Sequence, residues 1–139
     1  MLARIRFTID GKPQPKERPR FSGHAYTTDR TRDFEALIWQ AAFEACPMPV
    51  RENLPLPGPC RLSVTAYYPI PEHALRKKGP DKILEGEAYL SAPDVDNVGK
   101  IVMDALNHKL YVDDRMVYHM ETSKFYSRHT RLVVEVEWV

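Results

Sequence analysis

Residues 93–106 read PDVDNVGKIVMDAL, and two patterns share that stretch. Val98, Ile101, Val102, Ala105 and Leu106 recur at three- and four-residue steps, the spacing of one apolar stripe on an amphipathic helix. This predicts a helix over Val95–His108 whose stripe packs on a sheet. The same turn geometry brings Asp96, Lys100, Asp104 and Asn107 to within about a quarter turn of each other on the opposite side. Asp94 precedes the first turn, where its carboxylate can point the same way. A second acidic pair, Asp113 and Asp114 in YVDDRMV, follows after a short link and can close the cluster from another side.

Working outward, Ile5, Phe7 and Ile9 alternate with Arg4, Arg6 and Thr8, the period of a half-buried strand that ends at Asp10-Gly11. GKPQPKERPRF, residues 11–21, carries prolines at 13, 15 and 19 and is predicted to be an extended loop. Phe34, Leu37, Ile38, Ala41, Ala42 and Ala45 place a second amphipathic helix over Asp33–Cys46, stopped by Pro47 and Pro49. After a proline-rich connection, Leu62, Val64, Ala66 and Tyr68 alternate with polar or aromatic neighbours and define a strand closed by Pro69 and Pro71. Residues 71–92 are polar and weakly patterned, which predicts a mobile loop with a short helix around Glu72–Lys78. Met116–Phe125 and Arg131–Val139 read as two further strands. About four strands with helices packed on them make an α+β fold, with residues 1–139 as a single domain.

Size and composition agree. A chain of 139 residues, 43% apolar and 28% charged, buries one core with little left for a second. The net charge is +1, but it is unevenly distributed: residues 1–32 hold eight basic side chains against three acidic ones. Cys46 and Cys60 have neither CxxC spacing nor paired histidines, so no disulfide framework or zinc site is indicated. The N-terminus shows no continuous apolar run, and no stretch approaches the ~20 apolar residues of a membrane span. A soluble cytoplasmic protein with no membrane contact is the expectation.

The acidic residues have ordinary explanations one at a time. Asp94 or Asp96 could cap the helix, and Lys100 with Asp104 could be an exposed i,i+4 pair. Those explanations use only one of Asp94 and Asp96 and leave out Asp113 and Asp114, whereas grouped, mutually repelling carboxylates mark sites. Known loops are excluded on spacing. An EF-hand would need oxygen ligands where Val98 and Ala105 stand, and a P-loop would need a glycine at Asp94. There is no G-x-S-x-G or H-E-x-x-H, and the five histidines are scattered singly. An all-oxygen cluster suits a hard divalent cation, Mg²⁺ with Mn²⁺ as its substitute, and Mg²⁺ typically shares its coordination with substrate phosphates. These parts point to a phosphodiester hydrolase in which Lys100 offsets charge at phosphorus. Lys12, Lys16, Arg18 and Arg20, on the proline-stiffened loop, are candidate contacts to a phosphate backbone.

PDVDNVGKIVMDAL followed by VDDRMV resembles the signature of the RusA family of Holliday junction resolvases: Asp-x-Asp-Asn-x-x-Lys, a downstream Asp-Ala-Leu, then an Asp-Asp pair. GKPQPKERPRF, with Tyr26-Thr27 and Phe34-Glu35 after it, is similar to the N-terminal segment of phage-borne members. The resemblance implies that Asp94, Asp96 and Asp114 are metal-binding catalytic carboxylates and that Lys100 is essential. Asp113 and Asp104 match acidic positions of the motif, Asp113 as a further metal ligand. It also implies a mixed sheet flanked by helices and a homodimer that cuts paired strands of a four-way DNA junction in recombination and repair. A nuclease acting on flaps or forks, and a non-catalytic branched-DNA binding module, are the alternatives. One departure is Ala92, where many relatives are expected to carry a lysine or arginine.

Overall fold

The computed structural model describes residues 3–17, 20–76 and 78–139. Strand β1 (Ala3–Asp10) leads through a small hairpin, β2 (Arg20–Phe21) and β3 (Ala25–Tyr26), into helix α1 (Asp29–Ala45) and the single turn α2 (Met48–Arg51). Then come β4 (Cys60–Pro69), α3 (Glu72–Arg76), α4 (Val95–Leu106), β5 (Val117–Ser127) and β6 (Arg131–Trp138).

The four long strands form one sheet in the order β1-β6-β4-β5. β6 pairs antiparallel with both β1 and β4, while β4 and β5 run parallel. The sheet is therefore mixed, as expected. A parallel pair needs a long crossover, and α3 and α4 lie within it. β5 and β6 are consecutive yet flank β4, so the turn at residues 128–130 passes the end of β4, where Pro69 offers no donor to continue the ladder. Ile5, Phe7 and Ile9 of β1, Leu62 and Val64 of β4, and Leu132, Val134 and Val136 of β6 are buried on one face. α1 covers the β1 side of that face and α4 the β4–β5 side, and the two helices pack against each other. This seating buries the stripe of α4 and turns its acidic side outward along the β5 edge.

Four local features differ from the sequence expectation. α1 begins at Asp29 rather than Asp33, because Thr28 Oγ1 accepts the Thr31 N–H at 3.4 Å and caps a first turn that carries no apolar stripe. α2 forms inside the proline-rich connection, since Pro49 falls in its first turn, where no N–H is needed. β2 and β3 lie in and just after the segment predicted to be loop, too short to show a period. Finally, the later part of the predicted mobile loop is docked. Gly86 N–H donates to Tyr126 O, Tyr126 N–H to Glu87 O and Tyr89 N–H to Lys124 O, at 2.8–3.0 Å. β5 is the outermost strand, so its free backbone groups are the partners this segment satisfies. Among the described residues no helix is long and apolar enough to cross a membrane.

Candidate functional site

Gly99 decides how closely α4 approaches β5. A Cβ there would run into Met120 Cε and stand 2.9 Å from Thr122 Oγ1. The close approach leaves a groove of about 560 Å³ lined by Asp96, Lys100, Met103 and Asp104 of α4, by Asp114, and by Met120 and Thr122 of β5. Carboxylates from two separate segments and one ammonium group thus face a common volume.

Asp114 arrives there because the chain turns tightly after α4. The Lys109 and Leu110 N–H groups donate to Leu106 O, His108 takes a left-handed φ of 64°, and buried Tyr111 donates its hydroxyl to Met103 O at 2.8 Å. Burial, followed by the negative charges of neighbouring groups that include Asp114, Asp104 and Asp113, pushes the Tyr111 phenol well above the ordinary tyrosine range. Asp113 has a different contact from Asp114: its Oδ1 accepts the Arg115 N–H at 3.0 Å and caps the 3₁₀ turn Asp114–Met116. That hydrogen bond holds the Asp113 carboxyl below the usual carboxylate range.

Asp94 occupies the N-cap position of α4 with extended backbone, but its side chain makes no capping hydrogen bond. It lines an adjoining groove of about 430 Å³ with Tyr89, Leu90 and Lys124, and Val95 borders both grooves. The simple i,i+4 pairing of Lys100 with Asp104 is not formed. Asp104 instead pairs with Lys16 at 3.1 Å, and Lys16 also reaches Glu35 of α1 at 2.8 Å. Among the described residues Lys100 has no ion-pair partner. Lys16 N–H further donates to Asn97 O at 3.0 Å, so the proline-stiffened segment is fastened along α4. Burial alone would lower the Lys16 pKa, but hydrogen bonds to Glu35 and Asp104 outweigh it and hold the ammonium above the ordinary lysine value.

The candidate phosphate contacts therefore separate. The Lys16 side chain is 17% exposed and neutralised within the fold. Lys12 is exposed, and the Arg20 side chain is 67% exposed with only a 3.7 Å approach to Glu17. Arg18 lies outside the described residues. Sequence reasoning also missed Lys124, whose register beside Ala66 puts it in the core-facing row with Met120 and Thr122. Counting by twos from Met120 would have found a lysine on the wrong side of a strand. Gly99, inside an apolar-periodic helix, was a visible signal of close packing.

As placed, no three carboxylate, imidazole or thiolate groups among the described residues stand close enough to hold a metal ion between them. The donor set nonetheless fits a hard divalent cation in kind, because the groups around the groove are oxygen donors from aspartate without thiolate or imidazole.

Over residues 10–137 the chain matches the family described as endodeoxyribonuclease RusA. It is also 34% identical over 142 residues to YqaN of Bacillus subtilis strain 168, itself described as uncharacterized, with 97% of this chain and 96% of YqaN covered. A match that begins at the end of β1 and runs through nearly all of β6 takes in the other three strands of the sheet, both main helices and every groove carboxylate, and this protein belongs to the RusA family of endodeoxyribonucleases.

Proposed function

We propose that this protein is a Mg²⁺-dependent resolvase of four-way DNA junctions, acting in the cytoplasm in recombination and repair. One observation supports the reading above all: Asp114, delivered by the turn after α4, lines the same groove as Asp96 and Lys100 in a chain of an endodeoxyribonuclease family. Asp94, Asp96 and Asp114 are the residues that would hold the ion, with Mn²⁺ as its substitute. Asp104 and Asp113 rank behind them, since Lys16 neutralises the first and the second caps a turn. A bound Mg²⁺ supplies Lewis acidity at a phosphate oxygen and a nucleophilic water at neutral pH. Lys100, with no carboxylate partner among the described residues, offsets the negative charge that builds on phosphorus. Lys12, Arg18 and Arg20 follow the DNA backbone, and Lys16 holds their segment on α4. A homodimer presents two such sites to two symmetry-related strands.

The test is a gel assay of purified protein on a synthetic four-way junction, a flap, a fork and linear duplex, with and without Mg²⁺. Paired nicks in the junction that require the ion are expected, and Asp96→Asn should bind the junction without cutting it. Cleavage by Asp96→Asn at the parental rate overturns the catalytic assignment. Faster cutting of flaps or forks than of junctions replaces the substrate.

A further inference from the structure

Three consecutive carbonyls just before Asp94 are gripped by two side chains. Lys124 Nζ donates to Ser91 O at 2.8 Å and to Pro93 O at 2.6 Å, and Tyr89 donates its hydroxyl to Ala92 O at 3.2 Å. The ammonium also lies 5.4 Å from the centroid of the Tyr89 ring. That ring stacks on buried Tyr68 with centroids 4.2 Å apart and meets Tyr126 edge-on at 5.0 Å. Lys124 thus stands on β5, and Tyr89, in the docked segment, is braced against β4 and β5.

A general loop anchor does not account for it. Residues 86–89 are already fastened to β5 by backbone hydrogen bonds. What Lys124 and Tyr89 add is control of Ser91, Ala92 and Pro93, the last three residues before Asp94. Asp94 follows directly, and its side chain has no hydrogen bond of its own among the described residues, so its main chain fixes its place. Lys124 lines the same groove as Asp94 but forms no ion pair with it. Its influence on that carboxylate passes through the backbone.

We infer that Lys124, assisted by Tyr89, is a positioning residue for Asp94, fixing the main chain from which this carboxylate would turn to share a divalent ion with Asp96 and Asp114. The inference rests on the metal-dependent reading above. Groups that orient a metal ligand without touching the metal are worth roughly 10–100-fold in metal affinity or activity.

The experiment uses Lys124→Met, Lys124→Arg, Tyr89→Phe, Asp94→Asn and the double variant Lys124→Met/Asp94→Asn of the full chain. It measures junction binding without divalent ions, single-turnover cleavage across a Mg²⁺ titration, and the rise in melting temperature that Mg²⁺ produces. Lys124→Met is expected to bind the junction as the parent does, to require about tenfold more Mg²⁺ for half-maximal cleavage, and to show a smaller melting shift. Lys124→Arg should recover most of the loss, and the double variant should show no smaller a Mg²⁺-dependent melting shift than Asp94→Asn alone. Parental Mg²⁺ dependence in Lys124→Met, a loss of melting shift that adds to that of Asp94→Asn, or weakened junction binding overturns the inference. If Lys124→Met does not fold, Tyr89→Phe carries the test, with a smaller shift in the same direction expected and no shift overturning it. Failure of the clamp alone appears as an inactive Asp94→Asn beside a parental Lys124→Met. An Asp94→Asn that cuts normally sinks the metal-site reading, and the clamp's role with it.

Discussion

Lys16 is where a residue read as a DNA contact acquires an internal role. Its ammonium stands between Glu35 and Asp104, whose side chains are 21% and 29% exposed. Lys16→Met leaves those two carboxylates near each other without a cation. Exposed pairs contribute ~0–1 kcal/mol and breaking fully buried ones costs ~3–5 kcal/mol, so a loss of about 2 kcal/mol is expected at this depth. Urea denaturation at neutral pH measures it, and an unchanged midpoint would show that Lys16 is free to bind DNA. The pH dependence has a definite sign. The folded-state pKa is raised, so the stabilisation is fully present below 10.5 and is lost as pH rises through the higher folded value. The gap between parent and variant should stay constant from neutral pH to about 10 and close above it. Gly99 makes the second prediction at this scale. Alanine in a helix gains up to ~1 kcal/mol over glycine, whereas overpacking costs ~1–3 kcal/mol. Met120 can swing its terminal methyl aside, but Thr122 Oγ1 remains close, so Gly99→Ala should lower stability by about 1 kcal/mol. A gain of the same size would mean that α4 does not rest on β5 as closely as described.

The N-terminal arm tests the consequence of fastening one of its cations. Each phosphate neutralised on duplex DNA contributes ~0.9 to the slope of log affinity against log salt. With Lys12 and Arg20 exposed, Lys12→Ala combined with Arg20→Ala should flatten that slope by about 2. Lys16→Ala should leave it nearly unchanged, and a fall of about 1 there would return Lys16 to the DNA surface. The same contrast explains what could be read from the sequence along this element. Proline positions announced an extended path, but nothing in GKPQPKERPRF says which of its cations meets a carboxylate eighty-eight residues away at Asp104. The segment before Asp94 behaves alike: its polar composition predicts freedom, while the open edge of β5 supplies the donors and acceptors that dock it.

For the whole molecule, grouped carboxylates work against folding until a cation binds them. An ion that binds only the folded state adds RT ln(1 + [L]/Kd), about 2.7 kcal/mol at a hundredfold excess over Kd. Mg²⁺ should therefore raise the melting temperature of the parent, and Asp96→Asn and Asp94→Asn should each blunt the rise. A melting curve that ignores Mg²⁺ in the parent removes the shared ion from the scheme. By itself the sequence determined the types of the main strands and helices, the apolar stripe of α4, and the placing of Asp96, Lys100 and Asp104 on one side of that helix. These follow from local periodicity, since the 3.6-residue and two-residue repeats are properties of contiguous chain. Only the tertiary structure decided that Asp114 lines their groove, that Asp104 answers to Lys16 rather than Lys100, and that Lys124 reaches across from β5 to hold the approach to Asp94. Those contacts join segments far apart in the chain, and they depend on strand order, register and the close seating that Gly99 permits, none of which leaves a period in the sequence.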